Sequence, residues 1–288
     1  MPANHAVRDA YLTRLGLEPE PPSVGALFRM HRAHVERVPY ETLWIHSGEQ
    51  WSVDVDESLT RTATRRRGGY CFHLNGAFSE LLRMLGYDVV RHVGGVHGPD
   101  GASEDAMTNH LVLTVRGLPA DANPGGEWYV DVGLGDALHE PLPLVPGTYE
   151  QGPFRLGLER TPDGVGDWHL THDRAGSFPG MAWRSASAEV DAFAARHEWL
   201  STSPESGFVK TFAVQRRDAT GVDILRGLVL KRVGARASES TIATSAELFD
   251  ALGDLFDLEV ETIDAGAREA LWRRLRVAHE AWEAAGRP

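Results

Sequence analysis

Residues Val24, Leu27, Phe28, His31, Val35 and Val38 share one helical face, and Pro39 ends that run. A second stripe passes through Cys71, Leu74, Phe78, Leu81, Leu82 and Leu85, with Gly86 placed as a natural C-cap. The opening third is therefore expected to be helical. After Gly86 the period changes. Residues 88–93, 110–115 and 127–132 are short and rich in β-branched or aromatic side chains, and HGPDGASED and DANPGGE separate them as turns. That pattern predicts an antiparallel sheet or barrel continuing to about residue 205. The tail is mixed: FVKTFAVQ and DILRGLVLKRV read as strands. TSAELFDALGDLF reads as a helix with Thr244 and Glu247 spaced as a capping box, and AREALWRRLRVAHEAWEAA as a closing helix. Three consecutive units result: helical 1–92, β 93–205 and mixed α/β 206–288. There is no internal repeat, heptad array or low-complexity segment.

Composition narrows the functional classes. At 288 residues with 42% apolar and 24% charged side chains, the chain reads as an ordinary soluble protein large enough for two or three units. A net charge of −12, from 29 basic and 41 acidic residues, argues against nonspecific nucleic-acid binding. The start lacks a long apolar core segment, and no later apolar run approaches the roughly 18 residues of a membrane span. A reduced, cytoplasmic protein without a membrane partner is the expectation.

One cysteine is present, Cys71, in RRRGGYCFHLNGAFSELLRMLG. A lone thiol makes no internal disulfide, leaving a buried filler, a metal ligand or a nucleophile. A nucleophile must be thiolate, which a helix N-terminus or a neighbouring imidazolium favours. Cys71 opens a helix directly after Gly68 and Gly69, a turn that a passive core residue does not need. Among 13 histidines, His110 begins the strand HLVLTV. Asp131 lies between Val130 and Val132 in EWYVDVGLG, where a carboxylate needs a partner. Adjacent strands would let Asp131 orient His110 toward Cys71. On spacing alone a capped strand end explains His110 equally well. The pairs in HRAH (His31, His34) and HLTH (His169, His172) lack thiol partners and an HExxH pattern, so they read as structural, with no metal implied.

RGGYCFHLN, NHLVLTV and YVDVGLGD together resemble, in order and spacing, the catalytic blocks of the arylamine N-acetyltransferase family. The likeness extends to YLTRLGLEPE, HRAHVERVPYETL and STSPESGF, covering roughly the first 230 residues. It implies an α+β fold: a helical bundle, an antiparallel β-barrel and an α/β lid, with a Cys-His-Asp triad between the first two. It makes Cys71 the acyl-accepting nucleophile, His110 its base and Asp131 the orienting carboxylate. Arg67 and Glu41 correspond to a supporting ion pair, and Gly133 and Gly135 to a turn near which coenzyme A is admitted. Leu134 and Phe208 fall at substrate-contacting positions. The implied activity is ping-pong transfer of an acetyl group from acetyl-CoA, as cosubstrate, to arylamines, hydrazines or N-hydroxyarylamines. An amide synthase of secondary metabolism, acting on a carrier-bound acyl chain, uses the same triad. A thiol hydrolase or transglutaminase shares its logic, and a noncatalytic binding protein is the remaining class. Three departures stand out: His73 replaces the usual Glu or Gln and adds a titratable group near the thiol, Leu134 replaces an aromatic, and Thr42 replaces Asn. The sequence is silent on oligomeric state.

Overall fold

The computed structural model describes residues 2–286. The first section contains the helices α1 (Pro2–Leu15), α2 (Val24–Arg37), α3 (Leu43–His46), α4 (Val55–Thr64) and α5 (Cys71–Met84). A two-residue strand, β1 (Tyr40–Glu41), lies between α2 and α3. Helix α2 starts where the Ser23 hydroxyl accepts from the Ala26 N–H, a cap worth about 1 kcal/mol. It stops before Pro39 because a residue preceding proline is pushed out of helical geometry, and Val38 is extended.

Eight strands follow: β2 (Asp88–His97), β3 (His110–Arg116), β4 (Trp128–Val130), β5 (Leu142–Pro143), β6 (Gly147–Gln151), β7 (Phe154–Gly164), β8 (Gly166–Thr171) and β9 (Gly180–Ser187). They form one antiparallel, barrel-like sheet in the order β5-β4-β3-β2-β9-β8-β7-β6. Strand β3 is buried from His110 to Val115 because both of its faces are covered. Leu111, Leu113 and Val115 enter the helical core with Leu74 and Phe78, whereas Val112 joins Trp168, Leu170 and Trp183 inside the barrel. One strand is thus the shared wall of two hydrophobic cores, and the candidate site lies along that seam.

The barrel strands end earlier than their turn spacing predicts. Residues 194–202 form helix α6 (Ala194–Thr202), since Phe193, His197 and Leu200 recur at helical spacing and are buried. FVKTFAVQ is also not one strand. The Ser206 hydroxyl accepts from the Phe208 N–H and donates to the Leu200 carbonyl, capping a short helical turn, α7 (Gly207–Lys210). Strand β10 (Ala213–Asp218) begins only afterwards, and Gly227, with φ +59°, splits the next run into β11 (Gly221–Arg226) and β12 (Val229–Gly234). With β13 (Ser238–Thr241) these make a second sheet in the order β1-β10-β11-β12-β13. Its edge strand comes from the helical section: Tyr40 pairs with Gln215 and Glu41 with Val214. Helices α8 (Ser245–Asp250) and α9 (Ala265–Ala284) complete the layer. Thr244 caps α8 by accepting from the Glu247 N–H, while the Glu247 carboxylate reaches Ala243, one residue before the expected box partner. Among the described residues no helix is long and apolar enough to cross a membrane.

Candidate active site

The glycines before Cys71 answer to geometry. A side chain on Gly68 would run into the Pro39 carbonyl, and Gly69 has φ +89°. The chain turns there, Gly69 O accepts from the Glu41 N–H at 2.9 Å, and α5 begins at Cys71. Arg67, fully buried, bonds Glu41 at 3.1 Å and Glu49 at 2.9 Å. Burial opposes its charge, but the two carboxylates outweigh that penalty and raise its pKa. Glu41 also accepts from the Trp44 N–H at 3.3 Å. Arg67 is thus paired with both Glu41 and Glu49 directly before the Gly68–Gly69 turn.

Cys71 is 4% exposed, and its sulfur faces the Asn109 carbonyl at 3.6 Å. His110 follows directly at the start of β3, its Nε2 bonded to Asp131 Oδ2 at 2.7 Å. The imidazole also lies in hydrogen-bonding reach of the Cys71 sulfur. Since Nε2 is committed to Asp131, Nδ1 is the nitrogen left for sulfur. Burial alone would lower the His110 pKa. The Asp131 carboxylate and the Cys71 sulfur reverse this and raise it to about 10. Asp131 is buried as well, which works against its charge, yet His110, Asn75 and the Gly133 N–H together hold its pKa below the usual value.

Four donors converge on the Asp131 carboxylate: His110, Asn75 Nδ2 at 2.8 Å, Tyr129 Oη at 3.0 Å and the Gly133 N–H at 2.9 Å. Strand β4 stops at Val130, short of the expected end at residue 132, and its side-chain alternation continues through Asp131 and Val132. Val130 and Val132 face the helical core, whereas Tyr129 turns with Asp131 to the other side. Asn75 received no role from the sequence. It sits one turn after Cys71 on the same helix face, bonds the Leu111 carbonyl at 2.7 Å, and accepts from the Val132 N–H at 2.9 Å. Its signal was a lone amide on an otherwise apolar stripe. His31 lies beneath the site, its ring nitrogens on the His139 and Asp131 carbonyls at 3.0 and 3.1 Å. Burial lowers its pKa to about 4.

Gly133 packs on α5: a Cβ there would lie 2.8 Å from Cys71 Cα and 2.9 Å from Asn75 Nδ2. Gly135 has φ +76° and abuts the Gln215 side chain. Leu134, between them, is buried in the barrel core. Phe208 is half-buried, with its ring 5.1 Å from that of Tyr70 and 6.4 Å from that of Tyr40. Tyr40 has its pKa held well above the ordinary value by burial, then by Cys71 and Asp136. His73 points away from the sulfur into a box of Trp44, Trp51, Tyr70 and His197 rings. Burial, then Arg61 and His197, drive its pKa well below the ordinary value, so it adds no charge beside the thiol. Thr42 ties β1 to the second sheet, its hydroxyl accepting from the Ala213 N–H at 2.9 Å. Among the described residues no group of three or more His, Cys, Asp or Glu side chains is arranged to hold a metal ion.

The N-acetyltransferase family model matches residues 23–265. A solved Mycobacterium smegmatis arylamine N-acetyltransferase superposes with TM-score 0.80 at 26% identity, covering 92% of this chain and 97% of that one. The Mycobacterium marinum arylamine N-acetyltransferase, solved in complex with CoA, gives the same score at 25% identity over 92% and 97%. The Proansamycin X synthase of Amycolatopsis mediterranei is 30% identical over 163 residues, which is 53% of this chain and 59% of the synthase. An arylamine N-acetyltransferase of Mycolicibacterium smegmatis is 31% identical over 265 residues, spanning 87% of this chain and 91% of that protein. With the family model covering most of its length and a relative of that extent beside it, this chain belongs to the arylamine N-acetyltransferase family of acetyl-transferring enzymes.

Proposed function

We propose that Cys71, His110 and Asp131 are the catalytic triad of a ping-pong acyl transfer from acetyl-CoA to an arylamine, hydrazine or N-hydroxyarylamine. The single observation that carries this reading is the 2.7 Å bond from His110 to Asp131 beside the Cys71 sulfur. The Cys71 thiolate, paired with the His110 imidazolium, attacks the thioester carbonyl. N–H groups at the start of α5 serve the oxyanion, and the tetrahedral adduct expels the coenzyme A thiolate, which takes the His110 proton. The acceptor amine then attacks the acetyl-cysteine. His110 removes its proton and Cys71 departs as thiolate. Asp131, held by three donors besides His110, keeps the imidazole in the tautomer that faces sulfur.

In this reading residues 1–92 carry the nucleophile, residues 93–205 the base and carboxylate, and residues 206–288 the lid. Gly133 and Gly135 border the approach of the thioester, while Leu134 and Phe208 shape the acceptor's surroundings. A cytoplasmic setting keeps the thiol reduced. The relative that bears a CoA ligand, and the arylamine names of the relatives, support the two substrates. Intact-mass measurement after mixing with acetyl-CoA tests the scheme. One acetyl group should appear on the wild type and none on Cys71→Ala, and an unmodified wild type would rule the transfer out. The likeness to Proansamycin X synthase, with Leu134 in place of the usual aromatic, favours an amide synthase as the second reading. Acylation from a carrier-protein thioester but not from acetyl-CoA would select it.

A further inference from the structure

The Gly133–Gly135 turn ends in a second buried carboxyl group that the triad does not use. Asp136 is fully buried. Its N–H bonds the Leu134 carbonyl at 2.9 Å across Gly135, whose φ of +76° gives a tight three-residue turn. One carboxyl oxygen accepts from the Ser177 N–H at 2.6 Å. The other faces His172 Nε2 at 3.4 Å, and neither of these two atoms has a hydrogen-bond partner among the described residues. His172 Nδ1 accepts from the Asp173 N–H at 2.7 Å, so the ring proton resides on Nε2 and points at Asp136. Two buried polar atoms with nowhere else to turn are a costly arrangement unless they serve each other. They also join parts of the chain far apart: the turn packed on Cys71, and the β8–β9 connection. Arg217, on β10, donates to the Ala137 carbonyl next to Asp136, fastening the same turn to the second sheet.

We propose that Asp136 and His172 form a positioning pair that fixes the Gly133–Gly135 turn as the wall against which the acceptor amine approaches the acyl-cysteine. The proposal rests on the acyl-transfer reading above. Its physical basis is a separation of duties along one short segment. Asp131 takes three of its four donors, His110, Asn75 and Tyr129, from outside the turn, so loss of the second pair leaves sulfur, imidazole and carboxylate in place. What loosens is the tight turn, because Asp136 is then held only by Ser177 and by the Arg217 bond to the neighbouring Ala137 carbonyl. A small acetyl group tolerates such slack, whereas a flat ring that must reach within bonding distance of the thioester carbonyl does not.

The test uses substitutions that separate charge, reach and fold. Asp136→Asn keeps the shape and an acceptor for Ser177. His172→Asn retains an oxygen where Nδ1 accepts from Asp173 but withdraws the group facing Asp136. His172→Gln places an N–H close to the original Nε2. Acetyl-enzyme is preformed, and its decay is followed by intact mass against increasing aniline, with iodoacetamide alkylation of Cys71 measured in parallel. In Asp136→Asn and His172→Asn the half-saturating aniline concentration should rise about fivefold or more, with the maximal rate within about twofold and alkylation unchanged. His172→Gln should restore most of the aniline affinity. If Asp136→Asn does not fold, the two His172 variants decide alone. An unmoved aniline dependence, equal behaviour of His172→Asn and His172→Gln, or a parallel fall in alkylation overturns the pair. A wild type that never acquires an acetyl group defeats the acyl-transfer reading itself.

Discussion

Two carboxyl–imidazole pairs bracket one six-residue turn, and they differ in how completely the fold satisfies them. Asp131 takes four donors and meets His110 at 2.7 Å, and the imidazole is raised to about 10. Asp136 takes one backbone donor and faces His172 at 3.4 Å. The first pair lies against the thiol on the seam between two cores, and in the second the His172 ring packs on Phe154 and Phe178 where β8 leads towards β9. The difference teaches that burial alone does not create a reactive histidine. Both pairs are buried. The proposed base is the imidazole whose carboxylate is saturated with donors and which also meets a sulfur.

The comparison breaks most visibly at Asp131. Asp131→Asn should cut Cys71 acetylation by about 10³–10⁴-fold, because the amide favours the wrong histidine tautomer. Single-turnover mass measurement against acetyl-CoA reads this directly, and a loss below tenfold would mean that Asp131 does not orient the base. The pH profile gives a second large contrast. The folded pKa of His110 is raised from 6.5 to about 10, so its stabilising contribution is complete below 6.5 and disappears as pH climbs through about 10. Asp131 is lowered, so its contribution is present above its ordinary value of 3.8 and is lost as pH falls through its folded value. Denaturant unfolding should therefore show wild-type stability declining from about pH 6.5 to 10, with His110→Asn flatter across that window. Identical slopes would contradict the assignment.

Asn75→Ala sharpens the same contrast from the other side. Asp131 keeps three donors, but the Leu111 carbonyl and the Val132 N–H lose their buried partner. The expected cost is about 1–3 kcal/mol for each group left unpaired, with acetylation slower by about 10–100-fold. Urea unfolding and single-turnover acetylation measure the two effects, and an unaltered midpoint would show that water replaces the amide. Gly133→Ala comes next. Its new methyl meets the backbone of α5 at Cys71, which cannot swing aside, and about 1–3 kcal/mol of overpacking strain is expected. Gly135→Ala meets only the end of the Gln215 side chain and suffers chiefly from φ +76°, about 1 kcal/mol. Thermal unfolding of the two variants should rank them in that order.

Much of this site could be read from sequence, and the reasons are specific. The glycines before Cys71, the polar residue in an apolar strand at Asp131 and the histidine opening β3 each break a local pattern, and a broken pattern is visible in one dimension. Family likeness then ordered them. The donors that make Asp131 a partner rather than a burden were harder to see. Asn75 is offset one helical turn from Cys71, and Tyr129 reads as an ordinary strand aromatic until strand and helix are packed together. The helical turn at Gly207–Lys210 escaped because a Ser206 cap outweighed strand propensity in FVKTFAVQ. The contribution of Tyr40 and Glu41 to the second sheet escaped because two residues are too few to show a period.

The smallest expected effect concerns His73, which the sequence marks as a titratable departure close to the thiol. The fold removes that significance. Residues 71 and 73 project from different sides of α5: the sulfur turns to His110, and the His73 imidazole turns into the aromatic box. Its Nδ1 accepts from the Tyr70 N–H at 3.4 Å, so it helps close the first turn of the helix that carries Cys71. His73→Gln supplies a side-chain oxygen for that N–H and surrenders the edge-to-face ring contacts, each worth about 0.5–1.5 kcal/mol. Stability should drop by an amount of that order in urea unfolding, while acetylation of Cys71 and its pH profile stay within about twofold of wild type. A displaced pH profile would mean that a charge on residue 73 reaches the sulfur after all. The contrast between a thiol served by one saturated carboxylate and its electrically silent neighbours would then have to be redrawn.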